Sequence, residues 1–261
     1  MIPASPGQIF ATIGPLSISW YGFCYVMGII AGFFVLYRKT KHNKPFSDAV
    51  FDIAFWAVIA GFIGARMYHV WNEWWFYQNH LGDILKVWEG GLAIHGALIT
   101  GGITLYILSR KKHISFLRLL DLFAPAVLIG QVFGRFGNYF NEELFGRPLD
   151  AWWALQIHIT ARPAQYAAFE TFHPLFAYEI LLNAILFTAI MLLWKKLSLH
   201  KGWAIGMYAI GYGVIRFTLD FFRFDQFGFG PLTLAQWVSL LAIVVGIWLL
   251  TRRRSSTNER Y

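Results

Sequence analysis

Seven stretches of the chain approach the roughly 20 consecutive apolar residues that a helix needs to cross the hydrocarbon of a bilayer. They lie near residues 17–37, 48–70, 92–109, 116–134, 174–194, 202–222 and 233–250. Within lipid every backbone N–H and C=O must be satisfied inside the protein, so such stretches fold as helices. The expected fold is an all-α integral membrane protein of about seven transmembrane helices, forming one transmembrane domain over 1–261. Composition removes the soluble alternative: 57% of the residues are hydrophobic and 14% charged, against about half and a quarter in an ordinary soluble domain. The least regular stretches are the second, which opens on Asp48 and Asp52, and the fourth, which carries Arg118 and Asp121. No internal repeat is visible, so the sequence gives no support to an inverted-repeat transporter.

The net charge of +8 is distributed unevenly. Arg38, Lys39, Lys41, Lys44, Arg110, Lys111, Lys112, Lys195, Lys196, Lys201, Arg252, Arg253, Arg254 and Arg260 fall on one side of the spans. Lys86, Arg135, Arg147, Arg162 and Arg223 fall on the other. Basic loops stay in the cytoplasm, so the N-terminus is expected outside and the C-terminus inside. The same asymmetry assigns the basic balance to loops rather than to nucleic acid. The first sixteen residues hold no Lys or Arg, so the first apolar stretch reads as a retained span rather than a signal peptide. The single cysteine, Cys24, excludes an intrachain disulfide and reads as a small apolar helix residue.

Two segments on the sparsely charged side stand apart. Residues 71–91 are rich in Trp and polar groups and read as an interfacial segment with its rings at headgroup level. Residues 136–173 are too long for a simple turn. Within them WWALQIHI alternates in part like a strand, which suggests a small extracytoplasmic cap.

Ionisable residues inside spans are costly and mark function. Arg66 and His69 lie near the outer end of the second stretch, His95 near the outer start of the third, and Arg135 at the outer end of the fourth. Glu179 opens the fifth, Arg216 and Asp220 sit in the outer half of the sixth, and Tyr21 opens the first. All converge on the outer half of the bilayer. Tyr208, Tyr212, Arg216, Asp220 and Arg223 are spaced to form one helical stripe, in which Arg216 and Asp220 can pair at i, i+4. That stripe reads either as a structural ion pair or as an anion site, for which arginine suits phosphate. GRFGNYFNEELFGR at 134–147 crowds Arg135, Asn138, Asn141, Glu142, Glu143 and Arg147 at the membrane boundary. His95, flanked by glycines, is a candidate general base or hydrogen-bond donor.

At these residues the chain resembles the bacterial prolipoprotein diacylglyceryl transferases. The resemblance rests on GRFGNYFNEELFG together with SWYGFCY (19–25), GARMYHV, VWEGGLAIHGAL, HPLFAYE and GYGVIRFTLDFFR, in order along most of the chain. It implies transfer of the diacylglyceryl group of phosphatidylglycerol to the lipobox cysteine of a prelipoprotein, giving a thioether and glycerol phosphate, in the bacterial cytoplasmic membrane. It implies Tyr21, His95, Arg135 and Arg216 as catalytic candidates. Asn138, Asn141, Glu143, Gly146, Arg66, Tyr212, Asp220 and Arg223 follow as substrate-binding or supporting residues. Asp220 stands where the family pattern leads us to expect Glu, Tyr139 where it has Phe, and His69 where it often has Tyr. Expected partners are phosphatidylglycerol, lipobox-bearing signal peptides and membrane lipids, with no nucleic acid, cofactor or metal. His and Cys do not recur at ligand spacing, and the acceptor thiol comes from the substrate. The principal alternative is an anionic lipid transporter or flippase, which predicts polar groups across the whole membrane depth. An intramembrane serine protease would need a Gly-rich nucleophile elbow that the sequence lacks, and a structural scaffold leaves the arginines unexplained.

Overall fold

The computed structural model describes residues 1–14, 16–197, 200–224 and 228–252. Arg253, Arg254 and Arg260 of the basic count lie outside the described residues. Each apolar stretch folds as a helix: α1 Trp20–Thr40, α2 Lys44–Asn72, α3 Ile94–Lys111, α4 Phe116–Phe140, α5 Leu175–Leu197, α6 Trp203–Asp220 and α7 Leu234–Thr251. Among the described residues, α1, α2, α4, α5 and α7 are long and apolar enough to cross a membrane. The chain is therefore a mostly helical membrane protein with five such helices. In α3, His95, three glycines and the basic end at Arg110 and Lys111 dilute the hydropathy. In α6, tyrosines, Arg216 and Asp220 do the same.

The helix ends follow local chemistry. Asn43 caps α2, its side chain accepting the Phe46 N–H at 3.2 Å, with Pro45 in the first turn where no donor is missed. Thr233 and Gln236 form a reciprocal capping box on α7. The start of α6 is capped from another helix. The buried Asp121 carboxylate of α4 accepts N–H bonds from Gly202 at 2.6 Å, Ala204 at 2.9 Å and Ile205 at 3.0 Å. Its charge also faces the positive end of the α6 dipole. That explains an acid inside an otherwise apolar stretch.

The chain divides into two compact units, Leu36–Leu119 and the remainder. In the first, α2 and α3 pack closely because their contact is built from small residues. A Cβ on Gly96 would run into the Gly64 carbonyl, and the Thr100 hydroxyl donates to Ala60 O at 2.8 Å. Asp52 pairs with Lys112 at 2.6 Å, and the Arg118 guanidinium lies 5.1 Å from the Phe46 ring, so the polar residues of the irregular stretches have partners. Residues 71–91 form a short helix, Trp74–Tyr77, and two 3-10 turns, with Trp71, Trp75 and Trp88 exposed.

In the second unit, α4, α5 and α6 share a buried cluster of Ala124, Leu128, Ile190, Trp203 and Ala204. A Cβ on Gly246 of α7 would stand 2.7 Å from Gly206 O of α6, so these two helices touch backbone to backbone. A hairpin of β1 (Ile9–Ile13) and β2 (Leu16–Ser19) precedes α1. Between α4 and α5, β3 (Leu155–Gln156) pairs antiparallel with β4 (Thr171–Phe172). Phe145, Leu155, Ile157, Phe172 and Phe176 form a core beneath that pair. Ile2 adds a parallel bridge to Leu155. A short hairpin of β5 (Gly228–Phe229) and β6 (Leu232–Thr233) leads into α7.

Candidate active site

Arg135, one turn before the end of α4, is the centre of a hydrogen-bonded group in the second unit. Its Nη1 donates to Asn138 Oδ1 at 2.9 Å and its Nη2 to Glu179 Oε1 at 2.7 Å. Asn138 passes the connection on, donating through Nδ2 to Glu143 Oε1 at 2.8 Å. Asn141 donates to the same oxygen at 3.3 Å. Glu143 can return to the helix because the chain reverses sharply after Phe140. Glu142 and Leu144 adopt left-handed φ values of 52° and 56°, each a strain of about 1–3 kcal/mol. The Glu143 N–H donates to Asn138 O at 3.0 Å. The Glu142 carboxylate holds the reversal from the other side, 2.7 Å from the His158 ring.

Gly146 lets three segments meet. Its N–H donates to His173 O at 2.9 Å, and the Arg147 N–H to Phe222 O at 2.8 Å. A Cβ on Gly146 would stand 2.6 Å from Phe222 O and 2.9 Å from the His173 Cβ. Burial holds the His173 imidazole below its ordinary pKa. Gly137 makes a second close approach, this time to Tyr21. The Tyr21 ring lies over it so tightly that a Cβ would stand 2.6 Å from Cδ2, and the Tyr21 hydroxyl is 3.4 Å from that of Tyr25.

On α6, the Tyr212 hydroxyl donates to Glu179 Oε1 at 3.2 Å, and its ring stacks on Tyr208 at 5.6 Å. The Arg216 guanidinium is 4.0 Å from Asp220 Oδ1, a long contact for an ion pair, while the other Asp220 oxygen accepts from the Thr233 hydroxyl. No other hydrogen bond or ion pair to Arg216 occurs among the described residues. The stripe read from the sequence stops at Asp220, where α6 ends. Arg223 lies in the following turn, its N–H donating to Asp220 O and its own carbonyl accepting from Arg147 Nε at 3.2 Å.

His95 and Arg66 belong to the other unit. His95 is exposed, with its ring 5.8 Å from that of Tyr68. Of the two roles expected of Arg66, substrate-binding or supporting, its surroundings fit the supporting one. It is buried, and its guanidinium donates to the carbonyls of Asp83, Ile84, Lys86, Gly90 and Gly91 at 2.5–3.5 Å. A planar fork with five N–H groups, all turned to main-chain oxygens, pins residues 81–91 and leaves no donor for a phosphate.

Glu179 joins α4 to α6 by accepting from both Arg135 and Tyr212, whereas the sequence reading places it at the common depth without a catalytic or binding role. The signal was present: a carboxylate opening an apolar stretch, inside HPLFAYE. Among the described residues no group of three His, Cys, Asp or Glu could hold a metal ion. The arrangement presents the partly buried guanidinium groups of Arg135 and Arg216, suited to receive negative charge.

The model of the prolipoprotein diacylglyceryl transferase family matches residues 8–252. The phosphatidylglycerol–prolipoprotein diacylglyceryl transferase of Thermosynechococcus vestitus is 36% identical over 249 residues, 95% of this chain and 92% of that protein. The enzyme of the same name from Trichormus variabilis is 37% identical over 259 residues, 96% and 92% of the two chains. That from Parasynechococcus marenigrum is 37% identical over 275 residues, 98% and 99% of the two.

Proposed function

The chain belongs to the prolipoprotein diacylglyceryl transferase family, and on that premise we propose that it moves the diacylglyceryl group of phosphatidylglycerol onto a prelipoprotein cysteine. The match across nearly the whole chain carries this reading. In the reaction the cysteine sulfur forms a bond to the glyceryl carbon that bears the phosphate, and the carbon–oxygen bond breaks. The electron pair of that bond leaves with glycerol phosphate, and the thiol proton passes to a base or to the leaving group. The products are a thioether and a phosphate monoester with a second ionisable oxygen.

Charge therefore develops on the phosphate, and a fixed cation placed there lowers the barrier. Arg216, with a 4.0 Å contact to Asp220 as its ion pair, is the guanidinium most open to this role. Arg135 is held by Asn138 and Glu179 and presents a fixed positive charge beside it on the neighbouring helices. Tyr21, Asn138, Asn141, Glu143, Gly146, Tyr212, Asp220 and Arg223 shape and support this site. The family resemblance makes His95 the candidate base that draws the thiol toward thiolate. Arg66 acts indirectly, by ordering residues 81–91.

The seven helices all span, with the N-terminus outside, the C-terminus in the cytoplasm and the site in the outer leaflet of the bacterial inner membrane. Residues 71–91 lie in the outer interface and 136–173 form the extracytoplasmic cap, where a lipobox signal peptide arrives after export. The fourteen Lys and Arg on one side support this orientation.

Two measurements test the proposal. Arg216→Ala and Arg216→Lys should insert normally and transfer at no more than about a hundredth of the wild-type rate, since removing one charge-stabilising donor costs about 10²–10³ in rate and Lys lacks the planar fork. Near-wild-type transfer by either variant would remove Arg216 from the phosphate. In a Cys24→Ser background, cysteines at the exposed positions Asn79 and Ala167 should react with an impermeant thiol reagent in spheroplasts, and one at His42 only after lysis. The opposite pattern would invert the site.

A further inference from the structure

One turn below the Arg135–Glu179–Tyr212 group lies a second polar layer to which the reaction above gives no task. Gln131 precedes Arg135 by four residues on α4, Asn183 follows Glu179 by four on α5, and Tyr208 precedes Tyr212 by four on α6. Because α5 runs against the other two, all three side chains fall on the Trp203 side of the group. The layer is tied together and to the site. Gln131 Nε2 donates to the Tyr208 hydroxyl at 3.0 Å, Tyr208 stacks on Tyr212, and Tyr208 packs against the apolar cluster around Leu128 and Ile190.

Four polar atoms here have no protein partner: Gln131 Oε1, both amide atoms of Asn183, and Arg135 Nε. Asn183 is fully buried. An orphaned buried donor or acceptor costs about 1–3 kcal/mol, so four in adjacent turns would be a heavy burden on a membrane helix bundle. The set is complementary. It offers two acceptors, Gln131 Oε1 and Asn183 Oδ1, and donors in Asn183 Nδ2 and Arg135 Nε, with the Tyr208 hydroxyl proton beside them. A water molecule, with two donors and two acceptor sites, satisfies such a set and commonly makes about three bonds when buried.

We propose that this layer is an ordered-water site, and that Asn183 and Gln131 are positioning residues that hold the guanidinium plane of Arg135 through it. Asn138 and Glu179 fix the two Nη groups of that guanidinium. The Nε edge is the remaining one, and water anchored by Asn183 and Gln131 fixes it. The water site itself stands on the orphaned atoms. Its effect on transfer rests on the function proposed above.

The test has two arms. An experimental structure that resolves ordered solvent should show water within hydrogen-bond distance of the Asn183 amide and of Gln131 Oε1 or Arg135 Nε. A dry layer, or an Asn183 amide bonded to protein, overturns the site whatever the enzyme does. In the second arm, Asn183→Leu keeps the branching and the number of heavy atoms and deletes both orphaned atoms. The thermal midpoint should hold or rise, kcat should fall tenfold or more, and KM for phosphatidylglycerol should stay within twofold. Asn183→Ser, which keeps a hydroxyl for water, should recover at least a third of the wild-type kcat. A wild-type kcat in Asn183→Leu overturns the positioning role, as does a fall in midpoint that accounts for the lost rate. If the wild-type protein transfers nothing, the proposed function fails, and the solvent structure still decides the water site.

Discussion

Replacing Glu179 by glutamine keeps the length of the side chain and an oxygen facing Arg135 and Tyr212, and removes only the charge. Glu179 is 3% exposed, and its carboxylate sits 2.7 Å from the Arg135 guanidinium. Breaking a buried ion pair from one side costs about 3–5 kcal/mol, because the surviving charge is left uncompensated. Here glutamine still accepts both hydrogen bonds, and the Arg135 side chain retains 20% exposure. The loss therefore falls to about 2–3 kcal/mol, the scale of one charge-assisted hydrogen bond. At about 2–4 °C per kcal/mol for a chain of this size, the midpoint in detergent should drop by roughly 4–12 °C. The double variant Glu179→Gln/Arg135→Met removes both charges, so neither is left buried and uncompensated. Its midpoint should return most of the way to wild type while transfer stays lost. A double variant that melts below both single variants would refute the coupling, and one that transfers at wild-type rates would remove Arg135 from the chemistry.

Arg66→Lys exchanges five fixed donors for three on a point charge, so hydrogen exchange across residues 81–91 should accelerate at least tenfold; unchanged exchange would show that the carbonyl contacts do not hold the segment. Asp121→Asn weakens the cap on α6, with an expected loss of about 1–2 kcal/mol seen as a lower melting midpoint, while transfer per folded molecule is unchanged; an unshifted midpoint contradicts the capping account. If His95 is the base, His95→Asn should transfer at least about tenfold more slowly at an unchanged melting midpoint; a variant with the wild-type rate makes the residue structural.

The helices were legible in the sequence because each is an apolar run of near-span length, and the helix bounds differ from the sequence reading by a few residues. Asp121 and Asp52 looked like flaws in two of those runs. Their partners, the N–H groups at the start of α6 and the Lys112 ammonium, lie far along the chain or beyond a helix, where periodicity says nothing. The site was legible as a list of polar residues at one depth, but not as a wiring pattern. Depth alone puts Arg66 and Arg135 in one polar set, and the direction of each guanidinium shows how their surroundings differ. One faces the carbonyls of 83–91, and the other faces Asn138 and Glu179. Glu179 is legible as one of the polar residues at that depth, but its connecting role appears only when Arg135 and Tyr212 reach the same oxygen. The stripe on α6 was overextended to Arg223 because spacing does not show where a helix stops.

The most direct test of the account follows both products of one reaction. Purified protein, phosphatidylglycerol labelled in both its diacylglyceryl and its glycerol phosphate parts, and a lipobox peptide should give alkylated peptide and glycerol phosphate in equal amounts. Neither product should form when the peptide cysteine is replaced by serine. Glycerol phosphate released without alkylated peptide would make the protein a lipase, and labelled lipid crossing the bilayer unchanged would make it a flippase; either result contradicts the account.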